Sequence, residues 1–353
     1  AGLAPLHLPR LHDLLALDVL SDPDMVRELS AAKLDPGAPN PSVESLLHAY
    51  LPHRAVQHSH ADAIVNLTNL GDGEAVVREI YGDDVVVVPY VMPGFDLARA
   101  VRELWPEAAH AGTVGMVLLN HGLFTFGDDS ATAYRRHVDI ITRAETWLDR
   151  HAPVDAADDA EVGRSVLPPS AVEDLAELRR VLSEVAGRPM VVQRDASAAA
   201  RRFASRPDVA SLATRGPLTP DHVIRTKRIA LVGRDVAAYA ADYEAYVERN
   251  RHRSRTELTP LDPAPRVVVD PELGVLTAGP TVADARIAGD IYRHTIPVLE
   301  RAEDHLGGYR ALPEGDLFDL EYWDLEQAKL TKAGRPPRFT GMVAVVTGAA
   351  SGI

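Results

Sequence analysis

Apolar and polar residues along the first half of the chain alternate in blocks that predict buried strands and amphipathic helices in turn. Residues 85–88 are an unbroken run of valine and residues 114–119 are almost entirely apolar, as in strands buried on both faces. Residues 62–70, 95–105 and 129–149 carry apolar side chains at helical spacing. This alternation predicts a layered α/β fold.

Shorter helices are predicted around these segments. In the helix expected at 23–34, Asp22 is the predicted N-cap because Pro23 suits the first helical position. The other short helices are predicted at 11–17, 42–50 and 73–81.

Two histidines, His58 and His60, lie in residues 54–60. The β-branched character of the residues that precede them favours an extended chain. In a strand, residues i and i+2 project from the same face, so both imidazoles could bind one ion. On a helix the same residues would be about 200° apart around the axis and could not chelate together. The pair is therefore a candidate metal site.

A third candidate ligand is His121, which follows the apolar strand at 114–119 and precedes Gly122, a residue that allows a sharp turn. Three protein ligands with one coordination position left open are typical of a catalytic zinc site. The alternative is that these histidines have structural roles, since His-x-His pairs are common in soluble proteins. A cupin barrel also uses such a pair, but residues 61–67 continue at helical rather than strand spacing.

Composition narrows the class of protein. The 353 residues, 46% hydrophobic, can bury a sizeable core and favour two units rather than one. A net charge of -14 argues against nucleic acid as a general partner. We expect no membrane span, no signal peptide in residues 1–10 and a cytoplasmic location. With no cysteine, any metal must bind to histidine and carboxylate.

The second half carries a faint repeat of the first. Residues 273–279 align with residues 121–127, keeping both glycines and the threonine, and both segments continue into a long helix. Leu273 stands where the first copy has His121. We therefore expect a metal-free second unit; chance similarity is the alternative. Before it, residues 152–168 are rich in Ala, Asp and Pro and are predicted to be a linker, and Ser170 is expected to open the next helix as a capping box.

Residues 215–228 form the densest basic cluster of this acidic chain, and Thr219-Pro220 within them predicts a helix start. A helix N-terminus beside arginines suits an anion. Caps and salt bridges are the favoured explanation of the cluster.

The last residues have the pattern of a buried strand followed by a glycine-rich turn. Such a turn lets the backbone approach a pyrophosphate at a helix N-terminus. Thr347-Gly348 and Ser351-Gly352-Ile353 resemble the opening of a short-chain dehydrogenase, and we take these five residues as candidates for cofactor binding. Since no helix or further strand follows, NAD binding is expected only in a longer parent protein.

Three segments together carry a family resemblance: 41–44 (Pro-Ser-Val-Glu), 51–63 with the histidine pair, and 120–127. They resemble the class II (metal-dependent) aldolase/adducin family, and more narrowly the bifunctional rhamnulose-1-phosphate aldolase/short-chain alcohol dehydrogenases. The resemblance implies zinc, or another divalent metal, on His58, His60 and His121.

It also implies an acid/base carboxylate at Glu44, a homo-oligomer, and cleavage of rhamnulose 1-phosphate to dihydroxyacetone phosphate and lactaldehyde. Family members hold the substrate phosphate on an upstream loop, which nothing before Ser42 matches.

The predicted organisation is thus a layered α/β/α class II aldolase-like domain at 1–151, the linker, a degenerate second aldolase-like unit at 169–332, and the first strand and glycine loop of a dehydrogenase domain at 339–353. Three other functions stay open. A sugar-phosphate epimerase would use the same metal site, an adducin-like scaffold would lack metal ligands, and a zinc hydrolase would activate a bound water.

Overall fold

The chain forms two α/β units of the same design, one after the other along the sequence. The structure is a computed structural model and describes residues 3–153, 169–254, 257–325 and 336–350. The predicted linker lies outside these ranges except for residues 152 and 153. Because strands and helices alternate in both units, the predicted α/β class is confirmed.

The first unit has four strands and seven helices within the described residues. Its strands are β1 (Ala55–Ser59), β2 (Val85–Val88), β3 (Gly115–Leu118) and β4 (Gly122–Gly127). Its helices are α1 (Leu8–Leu15), α2 (Asp22–Ala31), α3 (Ser45–Tyr50), α4 (Asp62–Thr68), α5 (Gly73–Tyr81), α6 (Phe95–Ala108) and α7 (Ser130–His151).

The second unit repeats this pattern. Its strands are β5 (Val191–Asp195), β6 (Leu231–Val232), β7 (Val267–Asp270) and β8 (Gly274–Gly279). Its helices are α8 (Pro169–Val185), α9 (Ala198–Ala204), α10 (Val209–Leu212), α11 (Val223–Thr226), α12 (Val236–Asn250), α13 (Val282–His305) and α14 (Glu314–Glu321). Short 3-10 turns cover Pro220–His222 and Arg251–Arg253.

The two sheets share one topology. Their strand orders are β1-β4-β3-β2 and β5-β8-β7-β6, and in each sheet the pair at the far end, β3–β2 or β7–β6, is parallel while the other pairs are antiparallel. The register of the strand pairs is also the same in the two sheets: Val117 pairs with Leu123 and, 152 positions later, Val269 pairs with Val275. The repeat expected from the sequence is therefore present in the fold.

Helices cover both faces of each sheet. Along β2, Val85 and Val87 join one apolar cluster while Val86 and Val88 join another, because successive side chains of a strand point to opposite faces. The cluster of Val86 and Val88 contains residues of α1, α2, α3 and α6. The other cluster contains residues of α4, α5 and α7 together with α9 and α13, so one apolar core runs through both units.

Three local predictions are wrong. Strand β4 is absent from the predicted elements, although it is fully buried and lies between β1 and β3. Helix α2 begins one residue before its predicted start. The Ser21 hydroxyl, rather than Asp22, caps the helix by accepting a hydrogen bond from the Asp24 amide. Helix α8 begins at Pro169, which places Ser170 inside its first turn rather than at its cap.

The predicted strand at the C-terminal end is also absent. Residues 342–347 have no regular structure, and Val345 is 90% exposed. A strand needs a neighbour to pair its backbone groups, and none of the described residues pairs with this segment. Ser351, Gly352 and Ile353 lie outside the described residues, so their role, with that of Thr347 and Gly348, stays a prediction.

None of the helices that the structure describes is both long enough and apolar enough to cross a membrane.

Candidate metal centre

Strand pairing brings the three predicted histidine ligands together. His58 lies on β1, His60 follows the end of that strand, and His121 lies in the turn between β3 and β4. Because β4 pairs antiparallel with β1 and places Phe124 opposite His58, this turn ends beside His60. Glu44, at the N-cap position of α3, completes the group.

The ligand atoms of these four residues lie at metal-ligand spacing. His58 Nε2 is 3.0 Å from His60 Nε2 and 3.4 Å from Glu44 Oε2, and His121 Nε2 is 3.2 Å from Glu44 Oε1. All four ligand atoms lie within 4.8 Å of one another. Zinc bonds of about 2.0 Å in a tetrahedron place neighbouring ligands about 3.3 Å apart, so the spacing fits.

Burial of His121 supports the same fit. The residue is only 2% exposed, and neither of its ring nitrogens has a well-aligned hydrogen-bond partner among the described residues. Buried polar atoms of this kind are rare because an unmade hydrogen bond costs free energy. A metal ion would satisfy one of these nitrogens.

The protonation states of these side chains also suit the binding of a metal cation. Burial lowers the pKa of His58 to about 3 and lowers the pKa of His60, so both imidazoles are neutral at pH 7. Burial opposes ionisation of Glu44, but its contact with His121 and the neighbouring imidazoles outweighs that effect and lowers its pKa to about 2. Neutral imidazole and ionised carboxylate are the forms that bind metal.

Comparison with known proteins identifies the two units. Residues 12–148 match the class II aldolase and adducin N-terminal domain, and residues 169–330 match the second domain of class II aldolase. The chain carries class II aldolase/adducin family domains. One relative, the "Uncharacterized oxidoreductase YuxG" of Bacillus subtilis (strain 168), is 30% identical over 377 residues, a match that covers 99% of this chain and 52% of the relative. The chain thus spans about half the length of that relative.

Two solved structures resemble the chain in part. The N-terminal class II aldolase domain of a conserved protein from Thermoplasma acidophilum is 40% identical, with a TM-score of 0.39, over 42% of this chain and 67% of that one. An aldolase II superfamily protein from Pseudomonas syringae is 17% identical, with a TM-score of 0.28, over 41% of this chain and 59% of that one.

Neighbouring groups orient the candidate ligands of the class II aldolase domain. The Nδ1–H of His58 donates to the Leu123 carbonyl at 3.0 Å, which leaves Nε2 free for a metal. The ring of His58 stacks on Phe124, with centroids 3.9 Å apart. His48 contacts both rings edge-on.

His137 holds the strand that carries the ligand pair. The Thr125 hydroxyl donates to the Ala133 carbonyl, so the Nδ1–H of His137 must donate to Thr125 Oγ1, at 2.9 Å. His137 Nε2 then accepts from the hydroxyl of Ser59, at 2.6 Å. Ser59 lies between His58 and His60, so this chain of hydrogen bonds fixes β1 at the ligand pair.

The second aldolase domain lacks these groups at its equivalent positions. Leu273 stands in place of His121, as the sequence alignment predicts. The strand register places Arg194 and Ala196 at the positions of His58 and His60. Gly289 takes the place of His137, 152 positions later on α13. This agrees with a second unit that carries no metal site of the same kind.

The basic cluster at 215–228 consists mainly of ion pairs. Arg215 lies 3.0 Å from Glu303, Arg228 lies 2.7 Å from Asp242, and buried Lys227 lies 3.5 Å from Glu321. These contacts support the salt-bridge explanation over an anion site. The same segment nevertheless brings His222, which sequence patterns did not single out as a candidate, close enough to His60 for the two to interact electrostatically.

Proposed function

We propose that this chain is a zinc-dependent aldolase that cleaves a ketose 1-phosphate of the rhamnulose 1-phosphate type to dihydroxyacetone phosphate and lactaldehyde. The convergence of His58, His60, His121 and Glu44 at ligand spacing within a class II aldolase domain is the observation that supports it. An adducin-like scaffold without catalysis has no need of such a cluster.

The three imidazoles would hold the metal and leave room for substrate oxygens. When bound there, zinc would supply Lewis-acid chemistry at the ketose carbonyl. Cleavage moves a proton from the hydroxyl group that becomes the aldehyde to the carbon next to the carbonyl. Glu44, ionised and largely buried, would accept that proton and return it at this carbon as the bond between the two carbons breaks. The low exposure of His121 keeps bulk water from that side of the centre.

A fused dehydrogenase is the second part of the proposal. The B. subtilis relative is named an oxidoreductase, and about half of it lies outside the match. We infer that the parent protein continues into an NAD-dependent short-chain dehydrogenase that oxidises the aldehyde. Thr347, Gly348, Ser351, Gly352 and Ile353 would belong to its cofactor-binding turn.

Elemental analysis of the purified chain tests the metal centre. We expect about one zinc ion per chain, lost in His121→Ala because only two imidazoles remain. His53→Ala is the matched control, since His53 stacks on Phe126 outside the cluster. Wild-type protein without metal, or an alanine variant that keeps it, would contradict the proposed site.

Product analysis tests the reaction. Zinc-loaded chain should release lactaldehyde and dihydroxyacetone phosphate from rhamnulose 1-phosphate. An epimerase would convert the sugar phosphate to a stereoisomer and release no aldehyde, and a scaffold would leave it unchanged. Glu44→Gln should keep the zinc and lose cleavage by about 100-fold or more, the usual range for a general acid/base group.

A further inference from the structure

Residues 218–223 of the second domain lie against the metal centre of the first, and the contact begins at the His121 turn. Asn120, the residue before His121, donates to Asn69 Oδ1 at 2.9 Å. Asn69 in turn donates to the Leu218 carbonyl at 2.7 Å and to the Tyr309 hydroxyl at 3.0 Å. A chain of hydrogen bonds therefore joins the turn that carries His121 to the start of this segment.

A second contact joins the end of the segment to Glu44. Val223, which is fully buried, packs in an apolar cluster with Leu317, Leu320 and Val43. Val43 directly precedes Glu44. The residue after His222 and the residue before the candidate acid/base group therefore belong to one apolar cluster.

The third contact lies beside His60. His294 of α13 is 2.6 Å from Asp62, two residues beyond His60. Helix α13 packs on both α4 and α11, and His60 and His294 lie close enough to His222 to lower its pKa further when they are protonated. Three segments supply the four candidate ligands, since His58 and His60 belong to one of them, and each segment is linked by these contacts to the second domain around residues 218–223.

Within this segment two polar atoms have nothing to bind. His222 Nδ1 and Thr219 Oγ1 are both buried and have no hydrogen-bond partner among the described residues. His222 is followed by helix α11, and its own backbone is fixed by a bond from the Thr226 hydroxyl. A buried side-chain nitrogen without a hydrogen-bond partner, close to a candidate metal centre, is a group available to a ligand.

We propose that His222 contacts the sugar phosphate bound at the metal centre, through a hydrogen bond between Nδ1 and a hydroxyl group of the sugar. The second domain is then part of the active site rather than only a packing partner. This inference rests on the proposed function. A hydroxyl group both donates and accepts, so it can bind either tautomer of the ring. Burial lowers the pKa of His222 to about 4, and a neutral ring suits a hydroxyl better than a phosphate.

The test compares three variants of the zinc-loaded chain. His222→Leu removes the nitrogen, and His222→Asn keeps an amide group close to the position of Nδ1. His305→Leu is the control, because His305 is an exposed histidine of the same domain. The measurements are zinc content, KM and kcat for rhamnulose 1-phosphate, and the Kd of rhamnitol 1-phosphate by calorimetry. That polyol has the hydroxyl groups but no carbonyl, so it cannot be cleaved.

We expect His222→Leu to raise KM and the polyol Kd about tenfold at unchanged zinc content, the loss of one hydrogen bond to ligand. His222→Asn should recover most of the affinity, and His305→Leu should behave as wild type. Unchanged KM and Kd in His222→Leu would overturn the inference while the aldolase proposal stands. If His222→Leu fails to fold, His222→Asn alone provides the test. A tenfold weaker polyol affinity in His222→Asn that is accompanied by loss of zinc would overturn the inference, because His222 would then support the metal site rather than contact the sugar.

If the wild type cleaves nothing but binds the polyol, weaker binding by His222→Leu supports the contact although the aldolase proposal fails. A wild-type chain that holds neither zinc nor polyol overturns both.

Discussion

Thr125 and Thr277 occupy equivalent positions in the two domains, and their surroundings separate what the fold needs from what the metal centre needs. Each hydroxyl donates to a carbonyl of the following helix, Thr125 to Ala133 at 3.0 Å and Thr277 to Ala285 at 2.8 Å. Only Thr125 also accepts a bond from a histidine. The shared bond joins sheet to helix, and the additional one fixes the ligand strand.

Replacing Thr125 and Thr277 with valine, one at a time, should therefore destabilise the protein by different amounts. Thr125→Val removes the additional hydrogen bond to the Ala133 carbonyl and leaves the Nδ1–H of His137 without a partner, which costs about 2–3 kcal/mol. Thr277→Val removes only the additional bond to the Ala285 carbonyl and should cost about 1 kcal/mol. Urea denaturation of both variants measures the difference. Equal losses would mean that the bond to His137 contributes nothing.

At the scale of elements, the local pattern of apolar residues is sufficient to predict some strands but not others. The valine run of β2 and the apolar run of β3 are predicted within a residue of their ends, because buried β-branched stretches form strands whatever surrounds them. Strand β4 escapes prediction because Gly122 and Gly127 weaken its signal. A Cβ on Gly122 would lie 2.5 Å from the Ser59 carbonyl oxygen. Gly122 therefore weakens the strand pattern in the sequence and also allows β4 to approach β1.

Helices α11 and α14 are joined by a buried ion pair. Lys227, which ends α11, lies 3.5 Å from Glu321 at the end of α14 and 3.8 Å above the ring of Tyr243. Tyr243 donates to the same carboxylate at 2.8 Å. Removal of one charge would leave the other buried and unpaired, whereas removal of both would not.

Lys227→Met should therefore destabilise the protein by about 3–5 kcal/mol, and Lys227→Met combined with Glu321→Gln should recover most of that loss. Glutamine keeps an oxygen for the Tyr243 hydroxyl, so that hydrogen bond is retained. Thermal and urea unfolding of the single and double variants measure the effect. A double variant less stable than the single one would show that the pair does not act through its unpaired charge.

At the scale of the whole molecule, the candidate site is only partly local in sequence. His58 and His60 can be paired from spacing alone, and His121 and Glu44 follow from strand ends and resemblance. The position of His222 depends on how two similar domains pack, through contacts such as Asn69 with Leu218. No periodic pattern of residues encodes that packing, and the only sequence signal near His222 is the basic segment at 215–228.

The way the chain buries neutral histidines predicts its response to acid. Burial lowers the pKa of His222 to about 4 and lowers the pKa values of His48 and His137, whereas an unfolded histidine titrates near 6.5. Between those values the unfolded chain binds more protons than the folded one, so the free energy of unfolding rises with pH and falls on acidification. The window runs from about pH 6.5 down to pH 4.

We therefore expect metal-free chain, prepared with a chelator, to lose stability between pH 7 and pH 5, with His222 contributing about 1–2 kcal/mol of the loss. Asparagine does not titrate, so His222→Asn should lose that much less over the same interval, even if it is less stable at pH 7. Urea denaturation of both proteins at the two pH values gives the comparison. If the two proteins lost equal stability, His222 would have the same proton affinity in the folded and unfolded chain, and its imidazole could not be buried as the structure places it.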